Sequence, residues 1–445
     1  MPDQPSAAPP PTIACPFCGL GCDDLSPLRR SHGLGVDSHG CDRAEVAFTA
    51  ALTAPETSPR INGRDVSLEQ ALTEAAALLG SARLPLFAGL CGDLADQRGA
   101  LRLAAQSGGA LDHRNGGALI SNLSVLEESG WMITSLGEVR NRTDLVVLVG
   151  SGLTERVPRL RERILQPGER LHATVAATLV EVCTGASDSA VSPRPGAAPS
   201  DKAESGGRAA ADVRLSVGQL RDFIGVLRAH LAKRPLDIDP YPGAADLAKR
   251  LAAAAYPVIA FSASDLQSEP QPDLAVRALA AVVRQLNQEG RAALLPLGGA
   301  DGESSAHQVS AWHTGFSIRQ NFGGSVPRYE PRRGAAQRLL DHDGADLLLW
   351  ISTLNPEPPP ATSVPTVILG HPAMVLEHEP AVFIPLAVPG VHRAGAVHRG
   401  DSMALLPLTA LVETGLPASG EVFARLLELL PARPLDPPVE TPRPC

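Results

Sequence analysis

Residues 67–80 set the pattern that most of the chain follows. Ser67 is answered three positions later by Gln70, a capping-box pair, and Leu68, Ala71, Leu72, Ala75 and Leu79 recur at helical spacing. Gly80 stands where such a helix stops. The next apolar run, Leu84 to Gly89, shows no polar alternation, which marks a strand buried on both faces. A second helical pattern covers about 94–106, and Leu145 to Gly150 is another continuous apolar strand that ends in glycine. Further on, helical patterns near 217–233, 243–255 and 273–288 alternate with apolar runs near 257–262, 292–297, 345–352 and 364–370. Ala381 to Leu386 predicts one more strand, and 420–430 a last helix. Arg60 to Arg64 predicts a short hairpin, because Asn62-Gly63 suits a tight turn. This rhythm predicts an α/β fold with mostly parallel sheets.

Three segments fall outside the rhythm. Residues 1–12 are proline-rich, Thr184 to Ala211 is rich in Ser, Gly, Ala and Pro, and the tail from Pro431 to Cys445 is again proline-rich. All three read as loose, the middle one as a flexible insertion. The predicted organisation is a small N-terminal cysteine-rich unit over 1–55 and two doubly wound α/β domains, one inserted in the other. The inserted domain is placed at 138–240, with the flexible 184–211 segment inside it. The larger one combines 56–137 with 241–445.

Composition narrows the function classes. The chain has 445 residues, of which 44% are hydrophobic but only 3% aromatic, so small aliphatic side chains must fill its cores. A net charge of −9 argues against nucleic acid or an anionic membrane surface as partner. Lys202, Lys233 and Lys249 are the only lysines; the arginine excess fits carboxylate or phosphate recognition, and fits a high-GC coding bias as well. No charged and apolar leader pattern opens the chain, and no apolar run approaches the roughly 18 residues of a membrane span. The expected location is the cytoplasm, where clustered thiols read as metal ligands rather than disulfides.

The sharpest motif is Cys15-Pro16-Phe17-Cys18-Gly19-Leu20-Gly21-Cys22, completed by Cys41. Four thiols at this spacing, on turns that carry glycine, can converge on a soft metal or a cluster. Three readings stay open for Cys15, Cys18, Cys22 and Cys41: an iron–sulfur cluster, a structural zinc, or buried thiols holding nothing. The cluster is favoured over zinc, whose sites usually pair two short dyads. Cys91, Cys183 and Cys445 stand alone and read as incidental thiols.

Several stretches together resemble the B subunit of formylmethanofuran dehydrogenase, a molybdopterin oxidoreductase. They are Cys15 to Gly19 with Cys22-Asp23-Asp24, Cys41 to Ala44, Gly137 to Asp144, and Trp312 to Phe316. Pro327-Arg328-Tyr329, Ile384 to Gly390 and Gly395 to Arg399 complete the set. The resemblance implies a molybdopterin-oxidoreductase fold, with a four-iron (4Fe-4S) cluster or zinc on the four cysteines. In the dehydrogenases a cysteine or selenocysteine shortly after an Asp-His pair binds the tungsten or molybdenum of a pterin cofactor. Here Asp112-His113 is present, and counting onward places Ala118 at the ligand position. Alanine cannot ligate, so tungsten or molybdenum pterin is expected to be absent.

That substitution points to a branch of the family found in methylotrophs, a formyltransferase/hydrolase complex. The resemblance to it implies a non-redox structural subunit in tetrahydromethanopterin-linked one-carbon metabolism, where a formyl group passes to a methanofuran-type carrier and is released as formate. Its partners would be the formyltransferase, amidohydrolase-like and other subunits. The alternative is a redox-active tungsten or molybdenum pterin dehydrogenase subunit. No catalytic residue is assigned. His113, His313 and His398 read as structural or contact histidines, because no Gly-x-Ser-x-Gly elbow presents Ser121, Ser310 or any other serine to them. The glycine-rich Gly298 to Gly302 and Gly323-Gly324 lack nucleotide-fingerprint spacing. Trp312 to Arg319, Arg328, Tyr329 and Arg332 read equally as an interface or as the wall of an old pocket.

Overall fold

The computed structural model describes residues 12–30, 33–165, 170–171, 177–185, 212–324, 326–342 and 344–431. The proline-rich start, the tail from 432, and the expected insertion from 186 to 211 lie outside the described residues. The chain divides into two compact units, the first formed by 1–117 with 298–445 and the second by 118–297.

In the first unit, nine strands form one sheet. Their order is Arg328–Tyr329, Gln320–Asn321, Ala110–Leu111, Pro85–Cys91, Leu347–Ser352, Thr366–Gly370, Val382–Pro385, Arg60–Ile61 and Arg64–Asp65. The middle five run parallel, and short antiparallel strands close both edges. Pro85–Cys91 and Leu347–Ser352 are buried at every position, as continuous apolar runs require. The Asn62-Gly63 turn takes positive φ at both residues, +49° and +77°, the hairpin geometry that this dipeptide favours.

The Leu68–Ser81 helix begins with the capping box that its sequence announces. Ser67 Oγ accepts from the Gln70 amide at 3.3 Å, and Gln70 Oε1 accepts from the Ser67 amide at 3.0 Å. The helix runs through Gly80 and stops one residue later. The Leu94–Ser107 helix packs so closely on Ser419–Leu429 that a Cβ on Gly99 would stand 2.2 Å from the Phe423 ring.

A buried ion cluster ties this second helix to the loop after Val382–Pro385. Asp93 and Asp96 are fully buried, and Arg393 donates to Asp93 at 2.9 and 3.0 Å and to Asp96 at 2.8 Å. Burial, then repulsion by Asp93, raises the Asp96 carboxyl from 3.8 to about 6, although Arg393 pulls it down.

The second unit carries five parallel strands, ordered Ala293–Pro296, Pro257–Phe261, Leu145–Val149, Thr178–Thr184 and Val213–Leu215. Chain order starts at the central strand, moves out to one side, then returns to the other. Val147, Val149, Phe223, Leu227, Leu247, Ile259 and Leu279 share its core. The inserted unit therefore spans 118–297, not 138–240, because Pro257–Phe261 pairs with Leu145–Val149 in the register Ile259 to Val147. Nothing local distinguishes that strand from those of the first sheet. The described part of the N-terminal segment, expected as a separate unit over 1–55, belongs to the first compact unit.

Replacing Arg393 with Met should cost about 3–5 kcal/mol, because two buried carboxylates lose their cation. The Asp96 contribution is full below its unfolded value of 3.8 and is lost as pH rises through about 6. The deficit of Arg393→Met should therefore be largest above about pH 6 and shrink towards pH 4, as Asp96 takes up its proton. Urea unfolding of both proteins at several pH values reads this out.

Candidate functional site

The cysteine loop is held by backbone packing. Cys15 donates its amide to the Cys22 carbonyl at 2.7 Å, and the Gly21 amide donates to the Cys18 carbonyl at 3.3 Å. Gly21 takes φ of +58°, which lets the chain turn back. Gly19 is required for a different reason: a Cβ there would stand 1.8 Å from the Gly298 carbonyl oxygen. Gly400 closes the same contact, donating to the Gly19 carbonyl at 2.7 Å. Cys41 precedes the Asp42–Leu52 helix, and Phe48 of that helix meets the Phe17 ring edge-on with centroids 4.9 Å apart.

Cys15, Cys22 and Cys41 are buried and Cys18 is half-buried. Burial, with the nearby sulfurs of Cys18, Cys22 and Cys41, pushes the Cys15 thiol well up. Burial also raises Cys18, with Cys41 adding to it and Arg43 opposing. Four soft donors are thus gathered closely enough to repel one another as thiolates. Among the described residues, however, no three Cys, His, Asp or Glu side chains are placed to hold one metal ion.

Beyond the carboxyl ends of the first sheet lies a polar cleft. The Pro85–Cys91 strand lies between Ala110–Leu111, which follows it in the chain, and Leu347–Ser352, which comes much later. Strand order reverses there, with the strands still parallel, and α/β proteins bind ligands at such a switch point. Asp301 is its hub. It sits at φ +61°, between Gly299 and Gly302, and is buried. Arg114 donates to its carboxylate at 3.1 Å, Asn355 donates to its other oxygen, and Arg43 stands 3.9 Å away. Arg43 also donates to the Phe17 carbonyl at 2.6 Å, so Asp301 links the cysteine loop to the cleft.

His113 is fully engaged. Its Nδ1 accepts from the Asn115 amide at 3.0 Å, which leaves Nε2–H to donate to the Asp301 carbonyl at 3.2 Å. Burial lowers its pKa to about 4, so it stays neutral at physiological pH. Asp112 is also buried, accepting from Arg319 Nε at 3.1 Å and the Ala336 amide at 2.8 Å; burial still raises its carboxyl. Arg114 spends its second nitrogen on Glu357 at 2.7 Å. Asp112, Arg114, Arg319, Trp350 and Glu357 line a cavity of about 480 Å³.

The other sequence candidates disperse. His313 is exposed in the last turn of Glu303–Thr314. His398 lies 5.3 Å from the Trp312 ring, and both of its ring nitrogens are buried without a partner. Ser310 is buried on Glu303–Thr314, and Ser121, in the second unit, accepts from Gln267 at 3.3 Å. Phe316 stacks on Tyr329 with centroids 5.7 Å apart. Cys91 ends the Pro85–Cys91 strand, and burial, then Asp301, raises its thiol strongly. Arg319, read in the sequence as an interface or pocket-wall cation, does line the cleft; sequence reading missed Asn355, Glu357 and Arg393, which carry no local signal. Asp301 had one, an acid set in a glycine-rich loop.

The Fhc B subunit of the formyltransferase/hydrolase complex of Methylorubrum extorquens is 29% identical over 376 residues, covering 82% of this chain and 95% of the relative. The B subunit of the tungsten-containing formylmethanofuran dehydrogenase 2 of Methanocaldococcus jannaschii is 26% identical, covering 88% and 91%. A solved chain of the formyltransferase/hydrolase complex FhcABCD from Methylorubrum extorquens, in complex with methylofuran, superposes with a TM-score of 0.69 at 26% identity, covering 83% of this chain and 98% of that one. This chain is a homologue of these B subunits. No protein-family model matches it.

Ala118 stands near the start of the Gly116–Ser129 helix; it is 5% exposed and sits among the second unit's apolar core residues. Its methyl group can ligate nothing. The cleft's own cations, Arg114 and Arg319, are spent on Asp301, Glu357 and Asp112. Cations already paired within the chain do not fit a cleft that must carry an anionic metal–pterin group.

Gly19→Ala should force the cysteine loop off Gly298, because a Cβ there would overlap the carbonyl. In the variant, Cys15, Cys22 and Cys41 should react with a maleimide under native conditions while Cys91 stays protected. Equal protection of all four would show that the loop is held by something other than this contact.

Proposed function

We propose that the chain is the B-type subunit of a formyltransferase/hydrolase complex, acting in one-carbon metabolism without a redox centre of its own. The observation that carries this reading is that Ala118, where the count from Asp112-His113 puts the dehydrogenases' soft metal ligand, is a buried methyl group. Formyl transfer from a tetrahydromethanopterin carrier, and release of formate, would belong to formyltransferase and amidohydrolase-like partners. This chain would supply a molybdopterin-oxidoreductase-type fold, two doubly wound α/β domains with a four-cysteine segment, as an assembly surface. The cytoplasm suits such a complex, and no helix among the described residues is long and apolar enough to cross a membrane.

Cys15, Cys18, Cys22 and Cys41 would hold a 4Fe-4S cluster or a zinc ion. Such a group would cross-link the glycine-held loop to the start of the Asp42–Leu52 helix; the chain's own contribution is to keep the four thiols near one another, three of them buried. The alternative, a working tungsten or molybdenum pterin dehydrogenase, is favoured by that cysteine set and by the tungsten-containing relatives.

Metal and pterin analysis of the natively purified chain, with its co-eluting subunits, separates the two. Iron or zinc without tungsten, molybdenum or pterin is the expected result, and Cys18→Ser with Cys22→Ser should abolish that metal. Stoichiometric tungsten or molybdenum with pterin would overturn the assignment. Purification without a formyltransferase partner would count against the complex.

A further inference from the structure

The second unit has a groove that neither the cleft nor the cysteine segment explains. It lies where the Leu220–Leu231, Pro242–Ala253 and Pro272–Leu286 helices end, and its volume is about 800 Å³. Arg228, Lys233, Arg234, Arg284 and Arg291 line it, against a single acid, Glu289. In a chain of net charge −9 with three lysines, this is a local reversal of sign.

The five charges are not neutralised internally. Arg228 Nε donates to the neutral Gln285 Oε1 at 3.3 Å, and Arg284 to the Ser129 and Gly130 carbonyls at 3.2 and 3.4 Å. The Arg291 guanidinium lies over the Tyr256 ring, 4.8 Å from its centroid. Lys233 and Arg234 sit beyond the end of Leu220–Leu231 and are exposed. Among the described residues none of the five forms an ion pair, although surface arginines elsewhere in the chain do, as at Arg142–Glu138 and Arg425–Glu428.

Cations near helix carboxyl ends partly answer the helix dipoles, which accounts for Arg228 and Arg284 in the last turns. It does not account for Lys233, Arg234 and Arg291, which stand outside the helices. The groove also chooses between kinds of anion. A compact phosphate is best held by backbone amides at helix amino ends. Here three carboxyl ends supply carbonyls instead, and the cations come from separate stretches of chain, 228–234 and 284–291.

We propose that the groove docks an acidic polypeptide segment of a partner, whose carboxylates are spaced along an extended backbone. Five cations from separate stretches, facing one acid, match a run of single charges, and an extended chain can place them clear of the helix carbonyls. The proposal rests on the second unit alone and is independent of the reading of Ala118.

The test is fluorescence anisotropy of the purified full chain with a labelled peptide of alternating glutamate and glycine. Binding should weaken steeply between about 50 and 500 mM salt, and the glutamine counterpart of the peptide should not bind. Lys233→Glu with Arg234→Glu, and separately Arg291→Glu, should each weaken binding about tenfold or more while circular dichroism stays unchanged. Arg332→Glu with Arg338→Glu, in the first unit, should leave binding as it is. Undiminished binding in the groove variants would overturn the proposal, as would equal loss in the first-unit control. Displacement of the peptide by inorganic pyrophosphate at matched charge would also overturn it, in favour of a small-anion site.

Discussion

Asp301 carries the arrangement on which the first unit depends. Its left-handed backbone turns the 298–302 loop so that one carboxylate meets Arg114, Asn355 and Arg43 while its own carbonyl receives His113. Those partners come from three separate stretches: the loop after Ala110–Leu111, the loop after Leu347–Ser352 and the Asp42–Leu52 helix. A buried acid that satisfies two arginines and an amide fixes geometry more than it adds stability, since desolvation offsets much of the attraction. It holds the cysteine loop and the cleft in one register.

The glycines around it act by the same logic at the backbone level. Gly19, Gly298 and Gly400 pack so closely that a Cβ on any one would reach within 2.6 Å of a neighbouring atom. Gly302 meets the Gly92 carbonyl in the same way, at 2.0 Å from its added Cβ. Position, not flexibility, is what these residues supply. The result is a cysteine segment docked onto the loops of the cleft by the polypeptide itself, before any metal is considered.

The cleft keeps the placement of an α/β ligand site but has turned its charges inward. Arg114 and Arg319 face carboxylates of their own chain, His113 is pinned and neutral, and Ala118 lies in the core of the second unit. A fold can outlive the chemistry it once housed, because packing and hydrogen bonding preserve the frame without reference to a cofactor. At similar identity the chain matches both a formyltransferase/hydrolase subunit and a tungsten-containing dehydrogenase subunit.

Local physics made much of this legible in the sequence. The capping box at Ser67 and Gln70, the Asn62-Gly63 turn and the all-apolar strands depend on neighbours within a few residues, and each appears where the pattern placed it. The four cysteines and the alanine at 118 were legible too, being matters of residue type and count. The sheet that receives Pro257–Phe261 was not, because an apolar strand reads the same whichever parallel neighbour it finds. Hence the inserted unit's true limits, 118–297, came only from strand pairing. Nor could sequence show that Arg393 answers Asp93 and Asp96 across about 300 residues, or that Asp301 gathers Arg43, Arg114 and Asn355. Residue chemistry is local and can be read along the chain; which charges meet is settled by tertiary packing, since burial brings together groups that the chain keeps apart.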